Sequence, residues 1–466
     1  LFFDEAIYIH WAQIAFSDPS KIFISMYDGK QPLLIWLTGL SSLIFQNPVI
    51  AGRLISLISG LFSVSGIYLI GKTFRSEKTG IIAAGLYCIS PFFLVYDSLV
   101  LMDGLLLALN IWSVYFVFKT AKTRNLLYAV FAGILTGLGL LTKTSANFWL
   151  MLLPAGILLL PDFSRKRILK YLISILIIIL LSKIIESLLR FSSYYGMIAS
   201  KNSEFFGSIN DLMQNPFKLA LPNIYKIADW YVNYIGIGIW IFAFISGFLK
   251  SKRLILYFGL TVFIPTVIMI FMGKQLYPRH LLFMVWPVLF MAAAGAVDLM
   301  DAVKQKKRLL LILMVIIGAV CLTPLYTDYK LISDYQNAPI PKIDRWQLIS
   351  GRPAGIGLER LVKFLEKYSD RKVAVMTDMP IGILPDGPAV FFHGNRNFTF
   401  LGFDSIKDYF VRDYYNQLNP DEMFLVVQSP DLPPNIKASL EMEIKRPGNE
   451  VPVWYIYRLS EIPVLI

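Results

Sequence analysis

The sequence predicts a polytopic α-helical membrane protein with a C-terminal α/β domain outside the membrane, and three observations predict it. Charged residues make up 16% of the 466-residue chain and hydrophobic ones 56%, with a mean hydropathy of +0.58, whereas a soluble globular chain carries roughly 25% charge. The apolar residues gather into runs long enough to cross ~30 Å of hydrocarbon. Polar residues return together after about residue 327.

Ten candidate spans cover approximately 50–71, 80–96, 103–118, 126–141, 146–160, 171–190, 232–249, 254–272, 281–298 and 309–326. An eleventh apolar stretch, Pro32 to Phe45, is shorter and opens with a proline; it reads as an interfacial or re-entrant helix. Charge in the loops tests this. One alternate set holds 17 basic residues against three acids, in clusters such as Lys72, Arg75, Lys78 and Arg165, Lys166, Arg167, Lys170. The short loops of the other set hold only Lys143, Lys274 and Arg279. By the positive-inside rule the first set is cytoplasmic. Residues 1–49, the loop 191–231 and the region from 327 then lie outside, with 1–326 forming the membrane domain. The formal net charge of +12 is therefore an orientation signal and argues against a nucleic-acid partner.

The outer region 327–466 shows strand-like runs at Val373–Met376, Phe424–Val427 and Val453–Tyr457. Gly357–Tyr368 carries Leu358, Leu361, Val362 and Leu365 at helical spacing. Cys88 and Cys321 lie inside apolar runs and are expected to be small buried hydrophobes.

The chemistry-bearing residues fall mostly on the outer side: Asp4-Glu5, Asp28-Gly29-Lys30, Asp97 and Asp103, Thr142-Lys143-Thr144, and Lys274 with Arg279-His280. The spans meeting at Asp97–Asp103 and Lys143 hold only about 15–17 apolar residues, so these turns are expected below the surface, lining a cavity. Carboxylates beside cations suit a reaction on a phosphorylated lipid: a carboxylate takes a proton from a hydroxyl while Lys or Arg neutralises phosphate. Each residue has a plainer reading. Asp4-Glu5 suits a surface helix start, Asp103 suits a helix cap, and Arg279-His280 suit an interface anchor. Lys183 and Glu186 suit an ion pair within a span. Lys143 is harder to set aside, because it breaks the cation asymmetry. His10 and His393 have no partner in sequence and are assigned nothing.

Five patches carry a resemblance. They are Phe3-Asp4-Glu5-Ala6, Gly29-Lys30-Gln31-Pro32-Leu33-Leu34-Ile35-Trp36-Leu37, Leu101-Met102-Asp103-Gly104-Leu105-Leu106, Gly137–Lys143 with its Leu-Thr-Lys ending, and Pro278-Arg279-His280-Leu281-Leu282 with Pro287. In that order the sequence resembles the GT-C membrane glycosyltransferases, specifically the protein-O-mannosyltransferase and aminoarabinose-transferase-like group (family 39). Gln31, Thr144 and His280 depart from the family pattern, which has proline, glycine and an aromatic there. The family also has a span before its acidic motif, so the resemblance implies a further helix ahead of Leu1.

The resemblance implies sugar transfer from a polyprenyl-phosphate donor to a hydroxyl acceptor (lipid, glycan or protein) on the outer face of the plasma membrane, with inversion. It implies Asp4 as general base with Glu5 in support, and Asp103 orienting acceptor or a divalent cation. Lys143 and Arg279 would hold the donor phosphate, with Lys30 and Lys274 beside them. Asp4, Glu5 and Asp103 are too few ligands to predict a metal, so a divalent cation stays open. The alternative is a transporter or flippase for a lipid-linked saccharide, which would place charged or broken helices at mid-membrane in related halves. A third reading, an anchored assembly protein, leaves ten spans without a purpose.

Overall fold

The structure, a computed structural model, describes residues 1–246, 252–403, 418–432, 436–445 and 452–460. The chain divides into two compact units. One holds Leu1–Lys21, Thr38–Gly52 and Lys342–Ile466; the other holds Ile22–Leu37 and Arg53–Pro341.

The chain opens with α1 (Phe3–Ser17) and the short apolar α2 (Leu33–Ser42), followed by the 27-residue α3 (Pro48–Phe74). Next come α4 (Glu77–Cys88), α5 (Pro91–Tyr96), α6 (Met102–Thr123) and α7 (Leu126–Thr142). The Ser76 hydroxyl accepts the Thr79 N–H at the start of α4, and Asn125 accepts from Leu127 at the start of α7. Each satisfies a backbone donor that a helix start leaves orphaned. The chain continues through α8 (Asn147–Leu152), α9 (Arg165–Glu186), α10 (Met197–Phe205), α11 (Ile209–Gln214), α12 (Ala220–Ile235), α13 (Ile237–Ser246), α14 (Lys252–Met272), α15 (Leu282–Val303) and α16 (Lys307–Ser333).

Among the described residues six helical segments are long and apolar enough to cross a membrane, or seven if the bent pair α12–α13 is one span, rather than the ten expected. The excess has identifiable causes. The stretch 80–96 breaks at Ile89-Ser90 ahead of Pro91, where α4 ends and α5 begins. The stretch 146–160 is a succession of short helices, with Pro154 opening a 3₁₀ segment. Proline removes a donor and clashes with the preceding turn. The stretch 232–249 straddles a 96° bend at Gly236; its last three residues, and Lys250 of the basic loop beyond them, lie outside the described residues. The 17-residue α7 is too short to count as a full span.

Within this unit α15 is the central helix, almost wholly buried, whereas almost none of α16 is buried. The run Ala292-Ala293-Ala294-Gly295-Ala296 explains the difference, since small side chains let neighbouring helices approach closely. Arg75 forms an ion pair with the buried Asp298 of α15. Cys88 is exposed and Cys321 half-buried, so neither is the core residue the sequence suggests. An apolar run in a membrane helix has an outward face as well as an inward one.

The C-terminal region begins with α17 (Lys342–Arg345) and α18 (Leu358–Leu365), followed by β1 (Val373–Thr377), α19 (Ile383–Phe392), β2 (Phe398–Gly402), β3 (Glu422–Val427), β4 (Ala438–Lys445) and β5 (Pro452–Leu459). The sheet order is β2-β1-β3-β5-β4, with β1 parallel to β2 and β3 and the rest antiparallel. The three strand-like runs of the sequence are β1, β3 and β5; β2 and β4 are additional. Successive side chains alternate between two apolar layers, as a period of two requires. Val373, Val375, Phe424 and Val426 pack with Leu361, Leu365 and Trp454 on one face; Met376, Leu425 and Val427 pack on the other. Ala6 of α1 belongs to the first layer, so the opening helix of the chain is part of the core of this domain.

Candidate active site

Asp103 is the second residue of α6 and is buried; the N-cap position is Leu101, so Asp103 is not the cap of this helix. Its carboxylate accepts instead from Lys143 Nζ at 2.6 Å. Lys143 terminates α7: its own backbone is extended (φ −161°, ψ 141°), which turns the chain out of the helix and frees the side chain to reach across to α6. The Asp103 side chain is 8% exposed and that of Lys143 26%. A pair this far out of water interacts more strongly than a surface pair, and each charge needs the other.

The residue after Lys143 joins two more elements. Thr144 Oγ1 accepts from Gln31 Nε2 at 2.6 Å and from Asn202 Nδ2 of α10 at 3.4 Å. Two departures from the family pattern, Gln31 and Thr144, are thus bonded to each other. Beside Gln31, Lys30 lies 3.3 Å from Asp28, and Lys201 of α10 donates to the other oxygen of Asp28 at 2.9 Å. α10 also reaches the third basic patch. Lys274 Nζ donates to the Ser203 carbonyl at 3.2 Å, and the Lys274 N–H donates to the Phe205 carbonyl at 2.8 Å. Arg279 lies over the Tyr277 ring (5.3 Å to its centroid), and His280 meets the Phe205 ring edge-on.

Lys30, Asp103, Lys143 and Lys274 are therefore linked through short contacts in one unit, and α10 is the connecting helix. Lys201 and Asn202 were not among the residues singled out in the sequence. Their signal was weak: two polar residues in a long outer loop, 58 residues from the turn that one of them contacts. Lys183 and Glu186 pair at 2.7 Å as expected, and Lys183 also donates to Asn147.

The Thr144 contacts give a coupling prediction. Thr144→Val leaves a buried Gln31 amide without its acceptor, which costs about 1–3 kcal/mol. A lower thermal midpoint in detergent is expected for Thr144→Val, with Gln31→Ala adding little on top of it. Fully additive losses would show that the two side chains do not act as a pair.

Asp4 and Glu5 belong to the other unit. Both are buried in the first turn of α1, a helix end that favours negative charge. Glu5 accepts the Phe2 N–H at 3.0 Å. Among the described residues no group of three His, Cys, Asp or Glu side chains converges to hold a metal ion.

This architecture, long membrane helices followed by a sheet domain outside the bilayer, is that of an integral membrane protein of the GT-C fold. The ArnT of Cupriavidus metallidurans matches it in the apo state (TM-score 0.64, 11% identity, 97% of this chain and 93% of that one). The same protein bound to undecaprenyl phosphate also matches (TM-score 0.61, 13% identity, 99% and 95%). The oligosaccharyltransferase AglB of Archaeoglobus fulgidus, in complex with an inhibitory peptide and a dolichol-phosphate, matches at TM-score 0.53 and 14% identity, over 92% of this chain and 65% of that one. Residues 29–186 match the family model described as dolichyl-phosphate-mannose-protein mannosyltransferase. No curated protein sequence matches significantly. The chain therefore shares its fold with ArnT and AglB.

Proposed function

We propose that the protein transfers a sugar from a polyprenyl-phosphate donor to a hydroxyl acceptor on the extracytoplasmic side of the membrane, with inversion. The observation that carries this reading is the Lys143–Asp103 pair. It is a half-buried cation held on a rigid helix end and bonded through the adjacent Thr144 to the Lys30–Gln31 segment. Such a cation, fixed before substrate arrives, stabilises negative charge that grows on a departing phosphate. Lys143 and Arg279 hold the phosphate, with Lys30 and Lys274 beside them. Asp4 takes the proton as the acceptor oxygen attacks the anomeric carbon and the carbon–phosphate-oxygen bond breaks. Glu5 supports the start of its helix, and Asp103 orients the Lys143 ammonium. The relatives support the donor class, since one is seen with undecaprenyl phosphate and another with a dolichol-phosphate.

The test is transfer in membranes. With a radiolabelled polyprenyl-phosphate sugar, label is expected to move from the lipid phase to a glycan, lipid or protein acceptor. Movement of intact labelled carrier between leaflets, with no new glycosidic bond, would replace this reading with the flippase.

A further inference from the structure

The outer domain of this protein has no assigned role, and its contacts with α1 supply one. Four contacts fix that helix to the domain between Phe3 and Gln13. The Phe3 N–H donates to the Pro353 carbonyl at 3.0 Å, next to an antiparallel bridge between Phe2 and Ala354. Ala6, fully buried, sits in the apolar layer that includes Leu361, Leu365 and Trp454. His10 Nδ1 lies 2.7 Å from Asp386 Oδ1 of α19, and Gln13 Nε2 donates to the Val390 carbonyl at 3.0 Å.

Phe3, Ala6, His10 and Gln13 follow the three- and four-residue spacing of one helix stripe. At 100° per residue, Asp4 points about 140° away from the centre of that stripe. The domain therefore grips the back of the helix that bears Asp4. Asp386 is itself fixed, since its other oxygen accepts the Gly382 N–H at 2.8 Å. Gly382 is at φ +128°, and any side chain there would run into the Phe3 ring. The contacts at the start and the middle of α1 are thus set by the same short segment, Gly382–Asp386.

We propose that the C-terminal domain is the holder of the Asp4 helix, and that His10 and Asp386 are positioning residues that set the rotation of α1. The proposal rests on the transferase reading, with Asp4 as its base. The geometry says how sensitive the reaction is. A carboxyl carried about 5–6 Å from the helix axis moves ~1.5 Å when the helix turns by about 15°. A misplacement of about 1 Å costs on the order of 100-fold in rate. His393, whose ring centroid lies 6.3 Å from that of His10, is a further titratable group facing the pair among the described residues. Burial, and then the neighbouring His10, hold its imidazolium below the ordinary range.

The experiment uses the full chain in detergent or membranes and compares wild type with His10→Ala and His10→Asn, whose amide nitrogen can stand in for Nδ1. In His10→Ala, kcat is expected to fall by roughly 10- to 100-fold with KM for the donor unchanged, and hydrogen–deuterium exchange over residues 3–17 is expected to rise. His10→Asn is expected to recover most of both. If His10→Ala fails to accumulate, Gln13→Ala, which removes a contact on the same stripe, is measured in the same way. Wild-type kcat in His10→Ala, or loss of kcat without faster exchange in α1, would overturn the positioning role. Absence of transfer by the wild type would instead overturn the underlying reading. The two failures are distinguishable, because the exchange measurement needs no turnover.

Discussion

Asp4→Asn is expected to abolish measurable transfer, with a loss of about 10²- to 10⁴-fold, while the protein stays folded and retains its donor affinity. The substitution keeps the side-chain shape while removing the negative charge and with it the ability to take a proton. Its neighbour gives the contrast. Glu5 accepts the Phe2 N–H at 3.0 Å at the start of α1, so Glu5→Ala removes a structural bond. That variant should lower the thermal midpoint and reduce activity less than Asp4→Asn does. Initial rates at saturating donor, with the midpoint measured on the same preparations, separate the two roles. Undiminished turnover in Asp4→Asn would move the base elsewhere, and an equal midpoint shift in both variants would remove the distinction between them.

The second large effect is expected at Lys143. Removing a preorganised charge from the point where negative charge develops costs about 10²- to 10³-fold in rate, so Lys143→Ala should be nearly inactive. It should also be less stable, because Asp103 is buried and loses the ammonium 2.6 Å away. Breaking a buried pair costs about 3–5 kcal/mol, and the quarter exposure of Lys143 places this pair below that range. The double variant Lys143→Ala with Asp103→Ala removes the stranded carboxylate. It is expected to regain stability in a denaturation measurement and to remain inactive in the transfer assay. Recovery of transfer in the double variant would mean that Lys143 serves only to neutralise Asp103.

Much of this arrangement was legible in the sequence, for reasons that differ from residue to residue. Lys143 stood out because it is a cation in a very short loop of the cation-poor set, and the structure gives it an acidic partner, Asp103, also chosen from sequence. The strands at Val373, Phe424 and Val453 were legible because both faces of that part of the sheet are covered, which writes continuous apolar runs. β4 is mostly exposed, with only Ile444 fully buried, and its charged side chains hid it. The number of spans was overestimated because hydropathy counts apolar residues and is blind to the breaks at Pro91, Pro154 and Gly236. The pairing of His10 with Asp386 bridges 376 positions, and no local pattern signals a contact of that range. For the same reason α10 looked like an ordinary outer loop, although its residues bond to Asp28, Thr144 and Lys274.

The inclusion of Ala6 in the core of the C-terminal domain also sets an order of events during synthesis. The helix with Asp4 leaves the ribosome well before Leu361 or Trp454 exists, so its apolar face has no partner at first. At ~5–20 residues per second the delay is on the order of half a minute. Throughout that interval membrane helices can insert and pack, while the acidic helix waits. The core of this domain is completed only when the late-made sheet closes on the early-made helix, so chains cut short within the membrane region lack the partner of that apolar face.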